Sequence, residues 1–284
     1  MSFIKNNRLV SFCVLFLIYA ASAVLGIWIF GILNLPTWLG LLIADMAATI
    51  FVFAFSLIFS NASVYDPYWS VQPPVILSAF VACYGVNTFG ILLILVISLW
   101  GVRLTANWAY TFGGLSHQDW RYTMLREKTG AFYIVVNFIG IHTVPTLVVY
   151  GCTLPAVYAI VYGIEWNVYG IVALAVSLCA VVLQGTADVQ MHKYRRARTG
   201  PFIRSGLWKY SRHPNYLGEI LMWWGVGTSV AFAEPGVWYL LAGAVANTAL
   251  FMLVSIPLAD GRQSRKVGFE EYKRATRMLL PIKK

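Results

Sequence analysis

Charged residues are scarce in this chain of 284 residues, and acidic residues are the scarcest. Asp, Glu, Lys and Arg make up 11% of the sequence against 59% hydrophobic residues, and 11 acidic side chains face 21 basic ones. With a mean hydropathy of +0.70, the chain is too apolar for a soluble protein and far too long for one membrane span. The composition predicts an all-α fold, a polytopic membrane helical bundle, forming a single integral-membrane domain over residues 1–284.

Cysteine and histidine are also few, with 4 of each in the chain. The cysteines lie in apolar runs without a CxxC spacing, and the histidines form no HxH or HxxxH pair. This pattern argues against a disulfide framework, a metal site or a haem. We interpret the cysteines as small packing residues. They are Cys13, Cys83, Cys152 and Cys179.

The first apolar run begins like a signal peptide, because Lys5 and Arg8 precede it. However, the run continues to Leu33, which is much longer than the apolar core of a signal peptide, and further apolar runs follow. We therefore predict a helix that is retained in the membrane.

The placement of positive charge predicts the topology. All 21 Lys and Arg residues fall in four clusters, at the N-terminus and within residues 103–128, 193–212 and 262–284. Since cytoplasmic loops are enriched in Lys and Arg, we expect an integral protein of a bacterial inner membrane, with its basic loops and C-terminus in the cytoplasm. Eight passes satisfy this rule: 9–33, 38–60, 73–85, 87–109, 131–151, 153–190 with a break near Gly163, 216–233 and 236–257.

The segment 73–85 is shorter than the ~20 residues that a span requires. Seven passes, with a half helix in this segment or with the N-terminus outside, fit the pattern equally well. Two dipeptides that contain proline, Asp66-Pro67 and Pro73-Pro74, predict a polar aromatic loop between them. Near the C-terminus, Gly268 is predicted to open a short amphipathic helix that Pro281 terminates.

Acidic residues within apolar segments are costly unless they find a partner or an aqueous pocket. Asp45 has no obvious partner in the sequence, and we interpret it as a hydrogen-bonding group between helices. The sixth apolar block ends differently, in a polar stripe that leaves the membrane. Its members recur at helical spacing on one face, so an ion-pair ladder or a polar ligand could satisfy them. The stripe consists of Gln184, Asp188, His192 and Arg195.

The stretch from 191 to 215 carries seven Lys or Arg residues and no acidic residue. The positive-inside rule alone explains such a loop. However, Pro214 suits the first turn of a helix, and the free amides of that turn, with Arg212 and His213 before it, form a corner that can bind an anion.

An amide and an acid follow this corner on one face of the same helix. Asn215 and Glu219 lie four residues apart, and Gly218 lets a neighbouring group approach the backbone. Such a pair can bind hydroxyl or carboxamide groups while cations hold a phosphate. A basic interfacial turn explains the charges but not these two residues.

The segment GLWKYSRHPNYLGE, followed by Trp223-Trp224-Gly225, resembles the carboxyl-terminal signature of the membrane steroid 5-alpha-reductase superfamily. That superfamily includes the sterol C14 and delta-7 reductases and bacterial proteins once grouped as a domain of unknown function. The tail GFEEYKRATRMLLP is similar as well. The clear resemblance covers 184–281, about a third of the chain, and a weaker likeness covers 65–72 and 100–105.

The resemblance implies about seven membrane helices that hold NADPH at their cytoplasmic end. Gln184 stands where the steroid reductases have an asparagine, and His192 lies near a family arginine. The cofactor contacts that the resemblance implies are Trp69, Arg103, Gln184, Asp188, Arg195, Arg212, His213, Asn215, Tyr216 and Glu219.

The implied reaction is hydride transfer to a conjugated C=C of an apolar enone, such as a 3-oxo-4-ene steroid that enters from the bilayer. Steroid 5-alpha-reductases polarise the enone carbonyl with a glutamate and a tyrosine. Here the glutamate position falls at Gln72 or Pro73 and the tyrosine position near Trp100, so neither is a clear proton donor. The local alternatives are Tyr65, Asp66, Tyr68 and, beyond them, Tyr122.

Two other functions stay open. The RHPxYxG pattern also appears in isoprenylcysteine carboxyl methyltransferases, which bind S-adenosylmethionine, and a non-catalytic sterol- or lipid-binding relative would lack the Glu/Tyr pair. Asn215, the acid after Gly218 and the polar stripe upstream favour the reductase. The number of arginines also favours a phosphate-bearing cofactor. We expect membrane lipid as a partner and no nucleic acid; the sequence implies no oligomeric state.

Overall fold

The computed structural model describes residues 2–197, 199–280 and 282, and this part of the chain consists of helices and their connections, with no β-strand. Its backbone pairing outside helices includes an isolated bridge between Ser211 and Arg277. The α-helices are α1 Ser2–Asn6, α2 Arg8–Ile32, α3 Thr37–Ile58, α4 Tyr68–Tyr84, α5 Thr88–Thr111, α6 Trp120–Thr129, α7 Tyr133–Val136, α8 Val144–Val161, α9 Val168–Ala197, α10 Pro214–Ala233, α11 Ala242–Leu250, α12 Ile256–Gln263 and α13 Phe269–Ala275.

Within the described residues, six helical stretches are long and apolar enough to cross a membrane. They confirm the predicted all-α fold of a polytopic membrane protein. Helices α4 and α10, with 17 and 20 residues, are the other predicted passes. The six stretches are Arg8–Ile32, Thr37–Ile58, Thr88–Thr111, Trp120–Val161, Val168–Ala197 and Pro235–Gln263.

The first, second and fourth predicted passes match α2, α3 and α5 within one or two residues at each end. Proline and glycine mark two helix ends. Pro36 caps the start of α3, and Gly85 ends α4 with a φ of 75°. The predicted break near Gly163 is confirmed as well, because this residue has a φ of 62° and separates α8 from α9. These conformations are costly for residues with a side chain, which is why glycine stops a helix there.

The predicted boundary between the passes 131–151 and 153–190 is wrong. The helical stretch Trp120–Val161 continues through Cys152 and includes Pro155 within α8. It contains a π-helical turn, Asn137–Thr143, that precedes α8. An apolar run alone did not locate the boundary, since both sides of Cys152 are equally apolar.

The predicted aromatic loop before Pro73 is also wrong, because α4 begins at Tyr68 and both prolines lie inside it. Both prolines lie beyond the first turn of α4, so the helix continues through them although each removes one helical hydrogen bond. The C-terminal amphipathic helix α13 ends at Ala275, where Thr276 is already extended. Pro281, the predicted terminator, lies outside the described residues.

All four cysteines are free. Cys152 is buried, as predicted for a packing residue, whereas Cys13, Cys83 and Cys179 are exposed. The interpretation as buried packing residues therefore holds for Cys152 and not for these three.

The chain forms two compact units, which share α5 and α8. The first unit contains the residues up to Gly85 together with Trp100–Leu154. The second unit contains Val86–Leu99 and the residues from Pro155 onwards.

In the first unit, α2 packs along α3 over a cluster of buried side chains. Leu15 and Ile18 of α2 lie against Ala48 and Val52 of α3, and Val52 is completely buried. Because lipid is as apolar as these side chains, close packing and buried hydrogen bonds hold such helices together.

In the second unit, α9 and α10 make the most extensive contact. Glycines allow it: a Cβ atom added at Gly225 would lie 2.1 Å from Oγ of Ser177 and 2.8 Å from the carbonyl oxygen of Ala173. A Cβ at Gly218 would lie 2.8 Å from the carbonyl oxygen of Ala180. The close approach predicted at Gly218 is therefore confirmed, and the neighbouring group is helix α9.

Candidate functional site

An apolar cavity with a volume of about 120 Å³ lies within the first unit, between α2, α3 and α4. Aliphatic and aromatic side chains form most of its wall. The polar residues that line it are Tyr19, Ser22, Asp45, Tyr68, Gln72 and Tyr84. An apolar pocket with a few polar groups at one place is the usual form of a small-molecule site.

Three of these polar residues form one hydrogen-bonded group, here called the acid corner: Asp45, Tyr68 and Gln72. Tyr68 and Gln72 lie four residues apart on α4, so they share a helix face that meets α3. The Tyr68 hydroxyl donates to Oδ1 of Asp45 at 3.3 Å, and Nε2 of Gln72 donates to Oδ2. All three side chains are buried. The structure thus confirms Asp45 as a hydrogen-bonding group between helices and joins it to two predicted catalytic residues.

The other two predicted catalytic residues have different partners. The Tyr65 hydroxyl is hydrogen-bonded to Oγ1 of Thr146 at 2.8 Å. Tyr122, the further alternative, donates to Oδ1 of Asp66 at 2.6 Å. Burial raises the pKa of the Asp66 carboxyl to about 6, although the charge of Arg121 partly opposes this shift. Asp66 and Tyr122 therefore form a separate pair in the first unit, between the start of α6 and the connection that precedes α4.

Two predicted cofactor contacts, Trp69 and Arg103, also belong to the first unit. The Trp69 ring packs edge-on against Trp100 at 6.0 Å. Arg103 is half-buried on α5. Near it, a Cβ atom at Gly101 would lie 2.5 Å from the carbonyl oxygen of Ser70, so α4 and α5 touch at this level.

The remaining eight predicted contacts belong to the second unit, and two of them meet directly. Nε2 of Gln184 on α9 donates to Oε2 of Glu219 on α10 at 3.2 Å. Trp223 donates from Nε1 to Oε1 of the same carboxylate at 3.0 Å. Gln184 is fully buried, and its Oε1 atom has no hydrogen-bond partner among the described residues. A buried amide oxygen without a partner is a position where a ligand N–H could donate.

The predicted polar stripe lies on the single helix α9, as expected. From Gln184 the stripe passes to Asp188 and His192, which are half-buried, and ends at Arg195, which is exposed. On α10, Asn215 and Tyr216 lie in the first turn and are half-buried.

The two cations before α10 are placed differently from the prediction. Nη2 of Arg212 lies 3.0 Å from Oδ2 of Asp260, and Nε2 of His213 lies 2.9 Å from Oδ1 of the same carboxylate. The Arg212 guanidinium also donates to the carbonyl oxygens of Thr276 at 2.7 Å and Lys273 at 3.2 Å. The corner expected to bind an anion is therefore largely occupied by an acid and by the C-terminal segment.

Sequence reasoning missed Asp260 as a partner of this corner. Its signal was present, because Asp260 stands at the end of an apolar run, where an acid needs a partner. The imidazole ring of His213 lies parallel to the Tyr216 ring, with 5.2 Å between centroids and 4° between planes. This stack and the carboxylate together fix the orientation of His213.

Comparison with known proteins gives the chain a family. Residues 52–276 match the family model described as protein of unknown function DUF1295. The chain belongs to this family. The matched DUF1295 region contains every predicted site residue and also Asp260, but it begins after Asp45.

One relative of this DUF1295 protein is an uncharacterized protein of Schizosaccharomyces pombe. The two are 25% identical over 274 residues, which cover 84% of this chain and 75% of the yeast protein. No solved structure matches the chain. The comparisons therefore give a family without a described activity, and the chemistry has to be argued from the site.

Proposed function

We propose that this protein is an NADPH-dependent membrane reductase that adds hydride to a conjugated C=C of an apolar enone lipid, such as a 3-oxo-4-ene steroid. The observation that carries the proposal is the acid corner of Asp45, Tyr68 and Gln72 at the wall of an apolar cavity. The resemblance of residues 184–281 to the steroid 5-alpha-reductase superfamily adds the reaction class.

Enone reduction requires a proton donor beside the carbonyl, where negative charge develops during the reaction. Tyr68 is the best candidate, because its hydroxyl lies in the cavity wall and is held by Asp45. Gln72 fixes Asp45 from the other side. In the proposed reaction, the Tyr68 O–H bond breaks and its proton passes to the carbonyl oxygen, while Asp45 and Gln72 keep the phenol oriented.

The shape and polarity of the cavity support the substrate class. Apart from its few polar residues, the wall is apolar, for example Leu41, Ala48 and Phe80. Such a wall suits a flat lipid with one carbonyl group and gives little to a charged or highly polar molecule. A substrate of this kind dissolves in the bilayer and would enter the protein from it.

The residues of the second unit fit a reduced dinucleotide at its amide end. The Oε1 atom of Gln184 lacks a partner, and a carboxamide N–H could donate to it. Glu219 and Asn215 would accept and donate to further polar groups, and the exposed Arg195 would contribute positive charge to a phosphate. When bound, NADPH supplies the hydride. Arg212 and His213 would orient the start of α10 rather than bind a phosphate, because both side chains contact Asp260.

Oxidation of NADPH by the purified full-length protein in detergent, with progesterone as the enone, tests the proposal. We expect turnover by the natural sequence and a loss of about 100-fold or more in Tyr68→Phe, which lacks the acidic proton. Tyr84→Phe is a matched control, since Tyr84 lines the same cavity but is half exposed. This control should keep the activity. Turnover that Tyr68→Phe leaves intact would refute the role of Tyr68.

The placement of Arg212 and His213 favours a second candidate, the S-adenosylmethionine-dependent methyltransferase of the isoprenylcysteine carboxyl methyltransferase type. S-adenosylmethionine carries no phosphate, so a corner neutralised by Asp260 suits it better than it suits NADPH. Thermal unfolding with either ligand separates the two, because a ligand that binds only the folded protein stabilises it. We expect NADPH to raise the melting temperature. Stabilisation by S-adenosylmethionine alone would eliminate the reductase.

A further inference from the structure

The cavity beside the acid corner is elongated, because it follows one face of α2 and one face of α4. On both helices the residues that line it recur every three or four positions. At the rise of an α-helix, Tyr19 and Phe30 lie roughly 16 Å apart along α2, and Tyr68 and Phe80 lie roughly 18 Å apart along α4. The acid corner is at one end of this length, since Tyr68 is the first residue of α4.

A pair of aromatic rings lies at each end of the cavity. At the acid corner the Tyr19 ring packs edge-on against the Tyr68 ring, with 5.7 Å between centroids. At the far end Phe30 of α2 meets Phe80 of α4, with 5.3 Å between centroids. Phe30 also reaches α3, because a Cβ atom added at Gly40 would lie 3.4 Å from its ring. The far pair therefore contacts all three helices that surround the cavity.

The bulk of the cavity wall is concentrated at these two ends. Between the pairs the wall includes the small residues Ala23, Gly26, Ala44, Ala48 and Ala79. Phe80 at the far end is buried, and the Tyr84 ring stacks on it at 5.8 Å with 10° between the planes. Packing from two sides, by Phe30 and by Tyr84, thus fixes the position of the Phe80 ring.

We propose that Phe30 and Phe80 form an aromatic stop that limits the length of the substrate. This role rests on the proposed reductase function, in which the carbonyl group of the enone lies at Tyr68. The other end of the substrate then points along α2 and α4 toward the stop. A fused-ring enone without a long side chain fits between the two aromatic pairs. A long chain beyond the rings would overlap the phenyl groups, and closely packed side chains yield to extra volume only at a cost.

Two enones with the same rings test the stop in the full-length protein: progesterone, and cholest-4-en-3-one, which carries a branched alkyl chain at the end of the rings remote from the enone. We expect kcat/KM for NADPH oxidation to be about tenfold or more higher with progesterone. In Phe30→Ala the far end is open, so this preference should shrink to about twofold or less, with kcat/KM for progesterone little changed.

Phe16→Ala is the matched control for this substitution. Phe16 is a phenylalanine of the same helix α2, is 72% exposed and lies outside the cavity wall. This variant should keep the preference of the natural sequence. Phe30 itself is half-buried, so its replacement disturbs the core less than that of the buried Phe80. Should Phe30→Ala not fold, Phe80→Leu removes the other ring of the stop and gives the same comparison.

Binding without NADPH separates failure of the stop from failure of the reductase. Progesterone should raise the melting temperature of the natural sequence, and cholest-4-en-3-one should do so only in Phe30→Ala. If the natural sequence treats the two enones alike, or if Phe30→Ala leaves the preference unchanged, the stop is wrong while turnover of progesterone still supports the reductase. If neither enone is reduced but progesterone alone stabilises, the reductase fails and the stop stands as a limit on binding. If neither enone stabilises the natural sequence, the cavity does not bind ring enones and the stop is wrong.

Discussion

In the first unit the buried carboxylate of Asp45 accepts hydrogen bonds from a phenol and an amide, whereas in the second unit Asp260 is bound by a guanidinium and an imidazole. Neutral partners satisfy Asp45 without fixing an opposite charge next to it, so the phenol stays available to a ligand in the cavity. The side chains of Arg212 and His213 connect Asp260 on α12 to the start of α10. Two carboxyl groups buried to a similar extent thus lie in different settings, one beside a cavity and one at a junction between helices.

The closeness of helix packing also differs between the two units. In the first unit, α2, α3 and α4 leave a cavity of about 120 Å³. In the second, glycines bring α9 and α10 into backbone contact. The first arrangement leaves room for an apolar ligand, whereas the second packs α9 and α10 closely together.

Removal of the Asp260 charge should give the largest loss of stability. Asp260→Asn leaves the buried guanidinium of Arg212 without its counter-charge, a change that costs about 3–5 kcal/mol. Asp45→Asn should cost about 1–3 kcal/mol, because only hydrogen bonds to neutral groups are disturbed. Unfolding of both variants in a denaturing detergent measures the difference. Equal losses would show that the two carboxylates are held alike.

The close packing of α9 and α10 is tested by a single methyl group. In Gly225→Ala the new Cβ atom would overlap Ser177, and the helices must separate at a cost of about 1–3 kcal/mol. Gly26→Ala in the first unit is the control, since its Cβ atom would lie 3.6 Å from the nearest atom, an ordinary contact. We expect the melting temperature to fall only in Gly225→Ala. A similar fall in Gly26→Ala would remove the contrast in packing.

The proposed function predicts that Glu219 of the second unit acts in cofactor binding. Glu219→Gln keeps the size of the side chain but removes the negative charge that accepts from Gln184 and Trp223, so NADPH should bind about tenfold more weakly. Glu270→Gln on the exposed face of α13 is the control. Titration of NADPH against the melting temperature measures both. Unchanged affinity in Glu219→Gln would place the cofactor elsewhere.

The smallest effect concerns pH and the pair of Asp66 and Tyr122. Burial raises the pKa of Asp66 from 3.8 to about 6, so the folded state holds this proton more tightly than the unfolded state. The stabilisation is complete below the unfolded value and is lost as the pH rises through about 6. Stability should therefore decrease between these values, and Asp66→Asn should lack this decrease. An identical pH profile for the variant would show that another group titrates.

The sequence predicted the parts of the fold that depend on local chemistry. The apolar runs gave α2, α3 and α5 nearly to the residue, since their length must match the membrane. Gly163 predicted the break before α9, because its backbone conformation favours glycine. The spacing of Gln184, Asp188 and His192 predicted one helix face, which α9 confirms.

The helix boundaries that were predicted wrongly have no such local signal in the sequence. Cys152 lies in an unbroken apolar run, and the helix continues through it. Pro73 and Pro74 were interpreted as loop residues, but α4 continues through both although each removes a helical hydrogen bond. Hydropathy alone does not distinguish a helix that continues from two helices that meet.

The sequence by itself determined that this chain is an all-helical membrane protein, that a polar stripe leaves the membrane on α9, and that Gly218 meets a neighbour. Only the tertiary structure decided which partners the buried acids have. Asp45 finds Gln72 27 residues away, and Asp260 finds Arg212 48 residues away. The physical reason is that a buried charge requires some partner, which a sequence reveals, whereas the partner is chosen by helix packing over distances that no local pattern encodes.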